Sequence, residues 1–347
     1  MTKTGIKMPS NSHWKILDKD QLKTLDDAAF EILRDVGMIM EDDEVLRMAQ
    51  KMGCAVDFEK KIVRDIPEAV VRRNMEKAPR NFVLAGRDPE WDMIFEGAGK
   101  KQFWGLSNGA TDRLVYNEAT KAYSRQRASC KDIAYTVRIG DGLDDFDNCA
   151  RIFDAAEEGQ AGLPIEIDRM NTVLQNTVKH AAILTTTAND DREYDYVEKL
   201  AAIVSGGSES LRKRPLWMSV YNPLGLHLNK FNSRLLRMSI KHHFPMHCGT
   251  VAAAPLMGPA TAAANTAIAH GSNMWMTAFQ QEFDPGAVAL NNNIVLCLDP
   301  FTGGGNLPSS HAVVGAVAMN QLWHELYGLP VQSYHGTGTF SLDQIMF

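Results

Sequence analysis

The chain has 347 residues, 45% hydrophobic and 22% charged, which is enough to bury a large core and too apolar for a disordered protein. A formal charge of −6 and a pI near 5.9 exclude non-specific nucleic-acid binding and attachment to an anionic membrane surface. At about 150 residues per domain, the length predicts two domains, or one large barrel with an appendage.

Cys54, Cys130, Cys149, Cys248 and Cys297 are scattered without a CxxC pair, the usage of a reducing compartment. The start, MTKTGIKMPSNSHWK, carries no apolar run, and nowhere does the chain reach the roughly 18 apolar residues of a membrane span. These features place the protein in the cytoplasm.

In chain order, helical spacing predicts a helix over 18–36, with Leu22, Leu25, Ala29, Ile32 and Leu33 on one face and Gly37 as its stop. A second helix covers 42–51 and ends at Gly53. A short strand at 62–64, a helix over 67–77 opened by Pro67 and a strand at 81–84 follow. Prolines and glycines between Pro79 and Gly99 mark hairpin-like turns. Residues 1–100 therefore read as a small N-terminal α+β region packed on a larger domain at 101–347. Its basic pairs, Lys60-Lys61 and Arg72-Arg73, read as a solvated face.

Beyond residue 100 the rhythm becomes strand then helix. Strands are predicted at 102–106, 148–153, 180–187, 215–221, 245–251, 287–298 and 330–335, with helices at 130–139, 164–177, 192–204, 230–242, 259–283 and 309–326. This alternation predicts a parallel sheet with right-handed crossovers, and the spacing favours a closed barrel over a doubly wound sheet. No GxGxxG follows the first strand, which counts against the doubly wound alternative. The predicted fold is α/β, a (β/α)8 TIM-type barrel incomplete at its C-terminus, because a strand and a helix are missing from the about 250 residues such a barrel takes.

The stretch from Ala287 to Gly338 reads as strand, glycine loop, helix and strand, with polar groups where the strands end. In a parallel β/α protein the loops after the strands converge on the active face. The first suspects are therefore Asn291, Asn292, Asn293, Asp299, Phe301, Tyr334 and His335. His335 precedes Gly336-Thr337-Gly338, where glycines let a ligand approach the backbone; residue identity alone leaves a core histidine equally open. Gly303-Gly304-Gly305 reads as a lid loop, because no lysine follows it as in a P-loop. Ser309 and Ser310 read as helix caps. His242-His243 with His247 invites a metal site, but the pair sits at a helix end, His247 falls on the next strand, and no histidine–carboxylate spacing accompanies them. No metal is expected.

Trp104, Tyr221, Phe301 and Tyr334 fall at predicted strand ends. Such rings are more often core than cage. Several at one barrel mouth nevertheless suit a quaternary ammonium, through cation–π contacts of about 0.5–2 kcal/mol each, with Asp299 adding attraction.

Phe103-Trp104-Gly105, residues 255–261, Pro285-Gly286-Ala287 and Tyr327-Gly328-Leu329-Pro330 through Gly336-Thr337-Gly338 resemble the trimethylamine methyltransferase family. So do Leu33-Arg34-Asp35-Val36-Gly37, Gly53-Cys54 and Ala78-Pro79-Arg80-Asn81-Phe82-Val83-Leu84. The resemblance implies a (β/α)8 barrel that takes a methyl group from a methylated amine and passes it to the cobalt of a separate corrinoid protein. Members acting on trimethylamine carry pyrrolysine in the loop after the seventh strand. Here that loop reads His335-Gly336-Thr337-Gly338-Thr339, all standard residues. The chain thus resembles the non-pyrrolysine branch, whose members demethylate quaternary amines such as betaines. That makes chemical sense, since a quaternary ammonium already has a neutral amine as leaving group. Residues Thr339-Phe340-Ser341-Leu342-Asp343-Gln344 resemble a segment that members carry after the eighth strand. An internal deletion of the seventh helix and eighth strand, with loss of the C-terminal region, is the expectation.

Together these readings predict a corrinoid-protein-dependent methyltransferase acting on a betaine-like quaternary amine. His335 is the expected catalytic residue, and Trp104, Tyr221, Asn292, Asp299, Phe301 and Tyr334 are the expected substrate-binding residues. The chain itself is expected to bind no cofactor, the methyl acceptor being the corrinoid (cobalamin) of the partner. A quaternary-amine binding protein without catalysis and an unrelated TIM-barrel enzyme are the alternatives. A Schiff-base aldolase would need a strand-borne lysine, which no predicted strand interior offers. Homo-oligomerisation stays open.

Overall fold

The computed structural model describes residues 6–7, 14–97, 101–106, 112–155, 164–181, 183–184, 191–299, 301, 305–306 and 309–333. Helix α1 (Lys19–Asp35) starts at a capping box: Asp18 Oδ1 accepts the Gln21 N–H and Gln21 Oε1 accepts the Asp18 N–H, both at 2.9 Å. It stops at Gly37, whose φ of +75° suits glycine, and where a Cβ would lie 2.0 Å from the Val63 carbonyl oxygen. Helix α2 (Asp43–Lys51) is capped by the Asp42 carboxylate, and α3 (Glu68–Lys77) begins just after Pro67. Strands Met38–Met40, Ala55–Asp57 and Ile62–Arg64 form a small antiparallel sheet, which His227–Leu228 extends in parallel. A loop of the larger region thereby adds a strand to the N-terminal sheet.

Seven short strands form a parallel arc in chain order: β1 (Gly105–Leu106), β2 (Asn148–Cys149), β3 (Ile183–Leu184), β4 (Met218–Tyr221), β5 (Met246–Cys248), β6 (Ala289–Leu298) and β7 (Val331–Ser333). Ladders join β1 to β2 and run from β3 through β7, and the parallel bridge Asn148↔His180 links β2 to the chain entering β3. Each lies inside a strand expected from the sequence. Among the described residues no ladder joins β7 back to β1. Helices α4 (Cys130–Asp141), α5 (Pro164–Asn176), α6 (Arg192–Ser205), α7 (Ser208–Lys213), α8 (Lys230–His242), α9 (Ala262–Phe283) and α10 (Ser310–Gln321) lie between the strands, as parallel crossovers require. Ser309 does cap α10, its hydroxyl accepting the Ala312 N–H at 3.2 Å.

Four elements depart from the expected rhythm. An exposed antiparallel hairpin, Asp112–Asn117 with Ala122–Arg127, stands between β1 and α4. Val251–Ala254 pairs with the far half of β6, and Gly305–Asn306 pairs antiparallel with that strand's end. The short α7 follows α6 after a Gly206-Gly207 break with both glycines at positive φ.

Helix α9 is the axis of the core. Most of its residues are buried, including Met274, Trp275, Met276 and Phe279, the pattern of a helix surrounded by protein. Several of its buried polar side chains reach neighbours, as burial favours. Asn265 Nδ2 donates to the Ala252 carbonyl at 2.7 Å, and Gln281 both donates to the Ala287 carbonyl (2.8 Å) and accepts the Gly286 N–H (2.9 Å). His270 Nε2 meets Asp26 Oδ1 at 2.9 Å, and the same carboxylate accepts from Tyr327 (2.5 Å) and Arg72 (2.9 Å). One hydrophobic cluster runs from Leu22 and Leu33 through Trp275 to Trp323, so the N-terminal elements and the helices around the arc share a core. Fully burying a side chain such as Leu33 contributes about 1.5–3 kcal/mol. No helix among the described residues is long and apolar enough to cross a membrane.

Candidate active site

The pleat of β5 and β6 decides which side chains enter the arc. Cys248 Sγ reaches Asn273 Oδ1 of α9 at 3.6 Å, and the Asn291 amide exchanges hydrogen bonds with Thr277 of α9 at 3.2 and 3.4 Å. Cys248 and Asn291 therefore face the helix, and their chain neighbours His247 and Asn292 face the interior. The register sets Val220, His247 and Leu290 side by side across β4, β5 and β6.

Below that level the interior is closed by the hairpin Asn81–Leu84 with Met93–Glu96. Leu84, Met93, Met218 and Leu290 form an apolar cluster with Phe82, Phe95 and Phe103, and Phe82 stacks on Phe95 at 4.6 Å. His180 joins this floor through Nδ1, 3.0 Å from the Ala85 carbonyl, and burial pushes its pKa down to about 4.

Above it the lining turns polar. A Cβ built at Gly249 would lie 3.0 Å from Asn292 Cβ, 3.1 Å from Ile294 Cδ1 and 3.2 Å from Asn222 Oδ1, so these side chains converge on a glycine. Gln332 of β7 pairs in register with Asn292 and shares its face. Asn222 is fixed through its backbone: its N–H donates to Asn232 Oδ1 and its carbonyl accepts from Asn232 Nδ2, both at 3.1 Å. Asn232 is in turn held by Asn229, the N-cap of α8. The row Asn222, Gly249, Asn292 and Gln332 carries no formal charge.

His247 sits under this row, 2% exposed, with neither ring nitrogen partnered among the described residues. Burial alone pushes its pKa down to about 4, which keeps the ring neutral at pH 7. Asn292 Oδ1 is likewise buried without a partner among the described residues. The charges that follow β2 are paired instead: Arg151 binds Asp154 and Glu166, and Arg169 binds Glu166 at 3.2 Å.

The expected site residues scatter. Asn292 is in the interior row, and Tyr221 ends β4, its Cα paired with Cys248. Trp104 is displaced from its expected place. Its carbonyl accepts the Asp147 and Asn148 N–H groups (2.7 and 3.3 Å), so β1 begins after it and Trp104 stands half exposed at the strand-start end, opposite the polar row. Phe301 also leaves the expected cage. Asp299 Oδ1 accepts the Phe301 N–H at 2.9 Å, and the tight turn this makes leaves the ring 96% exposed. Tyr334 and His335 lie outside the described residues, so no aromatic cage is assembled within them.

The three clustered histidines go three ways. His242 meets Glu198 (2.6 Å) and Asp195 (3.0 Å), His243 meets Asp284 (2.5 Å), and His247 points into the arc. The Asp284 hydrogen bond holds the His243 pKa above its usual value. Among the described residues no three His, Cys, Asp or Glu side chains converge as a metal site.

Sequence reasoning missed Asn222, Gly249, Asn273 and Gln332, and weighed His247 only as a metal partner. The available signal was a histidine in the middle of a short buried strand, Met246-His247-Cys248, where a β-branched residue is usual.

Comparison with known proteins places these features in context. The sequence model of the trimethylamine methyltransferase family matches residues 3–344. A trimethylamine methyltransferase of Desulfitobacterium hafniense is 29% identical over 198 residues, 57% of this chain and 38% of the relative. One of Methanosarcina mazei is 29% identical over 213 residues, 60% of this chain and 42% of the relative. A glycine betaine methyltransferase of D. hafniense is 21% identical over 339 residues, 93% of this chain and 64% of the relative. The chain therefore spans about two fifths of the length of the trimethylamine relatives it matches. In fold it is similar to the Methanosarcina barkeri monomethylamine methyltransferase, with a TM-score of 0.53 at 9% identity, covering 96% of this chain and 70% of that one.

Proposed function

Because the chain belongs to the trimethylamine methyltransferase family, we propose that it takes a methyl group from a betaine-like quaternary amine and passes it to the corrinoid of a partner protein. The observation that carries this reading is the uncharged interior row Asn222, Gly249, Asn292 and Gln332 over a neutral His247. None of these groups repels a permanent cation. The standard residues at 335–339 and the 93% coverage by a glycine betaine methyltransferase support the same amine class.

In this reading the arc is the wall of a (β/α)8 barrel in the 101–347 domain, with residues 1–100 as the α+β region packed on it. The acceptor on the partner supplies the nucleophile that attacks the methyl carbon. The C–N bond breaks with its electron pair left on nitrogen, so a neutral tertiary amine departs and no proton need be delivered to it. What remains for this chain is to hold the ammonium with one methyl facing the mouth and to exclude water. Asn292 and Gln332 orient the ligand from the side. Asp299 and Tyr334 contribute to binding, and His335 orients the reacting end.

The test is to incubate the chain with reduced corrinoid and either glycine betaine or trimethylamine, measuring the demethylated amine. Dimethylglycine should form from glycine betaine in a corrinoid-dependent way. Turnover of trimethylamine without turnover of betaine would overturn the reading.

A further inference from the structure

His247 has no role in the proposed transfer, yet it is the most conspicuous polar group inside the arc. It lies between Val220 and Leu290 in register, buried, with both ring nitrogens unpartnered among the described residues. A polar group left so is costly unless something occupies its hydrogen-bonding positions. Two residues above it on the same face is Gly249, where a side chain would press on Asn222, Asn292 and Ile294. Gly249 places no side chain of its own over the imidazole, and the two levels are separated by a rise of about 7 Å for two strand residues.

Charge narrows what would meet the imidazole. A bare cation entering a buried interior needs a counter-charge, and the row above His247 provides none. A zwitterion brings its own. With the ammonium at the level of Asn292, a carboxylate one or two carbons away would reach down to the imidazole, leaving the N-methyl groups toward the mouth.

We propose that His247 is a specificity-determining residue that donates a ring N–H to the carboxylate of the bound amine, so that the site takes short zwitterionic amines over bare cations. The quaternary nature of that amine rests on the function proposed above; the recognition of its carboxylate does not.

Calorimetric titration of the full chain with two ligand pairs separates these claims: glycine betaine against tetramethylammonium, and dimethylglycine against trimethylamine. The carboxylate-bearing member of each pair should bind at least tenfold tighter. His247→Leu should cut that advantage to under threefold while changing the affinity for the bare cations by less than threefold, and His247→Gln, which keeps a donor, should retain part of it. Equal weakening of both members of a pair, no change in either, or tighter binding of the bare cations would overturn the assignment. Should His247→Leu fail to fold, the wild-type ratios and His247→Gln decide. Tighter binding of dimethylglycine than of betaine would sink the quaternary reading and leave His247 in place, whereas no binding of any of the four by the folded chain would overturn both.

Discussion

Asn273, midway along α9, donates from Nδ2 to the Asn292 carbonyl at 3.1 Å, while its Oδ1 accepts from the Thr250 N–H at 3.0 Å and the Thr250 hydroxyl at 2.6 Å. One side chain thus holds the end of β5 and the middle of β6 from outside, at the level where Gly249 and Asn292 face inward. Asn273→Leu would strand a buried N–H and a buried carbonyl, each at about 1–3 kcal/mol. A loss of at least about 2 kcal/mol is expected, read as a fall in the urea midpoint. An unchanged midpoint would show that the clamp does not hold the strands.

The order of strands and helices was legible because it depends on periodicity. The helix over 230–242 and the strand over 62–64 coincide with the observed Lys230–His242 and Ile62–Arg64, since each has a clear apolar face and a turn residue at its end. The hairpin Asp112–Asn117 with Ala122–Arg127 was not legible. It is exposed along its length, so it lacks the apolar alternation that marks a strand. The site was less legible still. Strand starts were placed to within a few residues, and the three between the expected start at 102 and the observed start at Gly105 leave Trp104 before β1 rather than at its end. Gly249 and Asn273 carry no sequence mark, because their importance lies in what other elements bring against them.

Asp26 gives the molecule a defined acid sensitivity. Burial alone would raise its pKa above the ordinary 3.8, but the hydrogen bond from His270, with those from Tyr327 and Arg72, outweighs burial and holds it below that value. A carboxylate depressed on folding adds stability above its unfolded pKa, and that stability is lost as pH falls through the folded one. Asp26→Asn should therefore cost stability at pH 7, and the gap to the wild type should narrow progressively below about pH 4. Urea denaturation of both proteins at pH 7 and pH 3 checks this; a gap of equal size at both would refute it.

Gly315 lets α10 lie close against β6. A Cβ there would come within 2.5 Å of Val295 Cγ1. Gly315→Ala gains about 0.5–1 kcal/mol of helix propensity, but overpacking of this kind costs about 1–3 kcal/mol, so the variant should be less stable. Trimming the neighbour should relieve it. In a double-mutant cycle, Gly315→Ala with Val295→Ala is expected to be more stable than the sum of the single changes predicts. Strict additivity would mean that the two residues do not set the helix-to-strand distance.

Gly249 distinguishes a site inside the arc from one elsewhere on the molecule. Its added Cβ would meet three side chains at 3.0–3.2 Å, a crowding that small shifts of Asn222 and Asn292 can absorb for alanine but not for the branched valine. Gly249→Ala should therefore weaken binding of glycine betaine modestly, and Gly249→Val should weaken it at least tenfold, by filling the space the ligand needs. Trp104→Ala is the control, because Trp104 lies at the strand-start end of the arc, and its affinity should stay within twofold of wild type. Circular dichroism would establish that each variant is folded before titration. If valine at position 249 leaves affinity intact, or if Trp104→Ala lowers it tenfold, the ligand does not enter beneath the row Asn222, Gly249, Asn292 and Gln332, and the site must be sought at the other end of the arc.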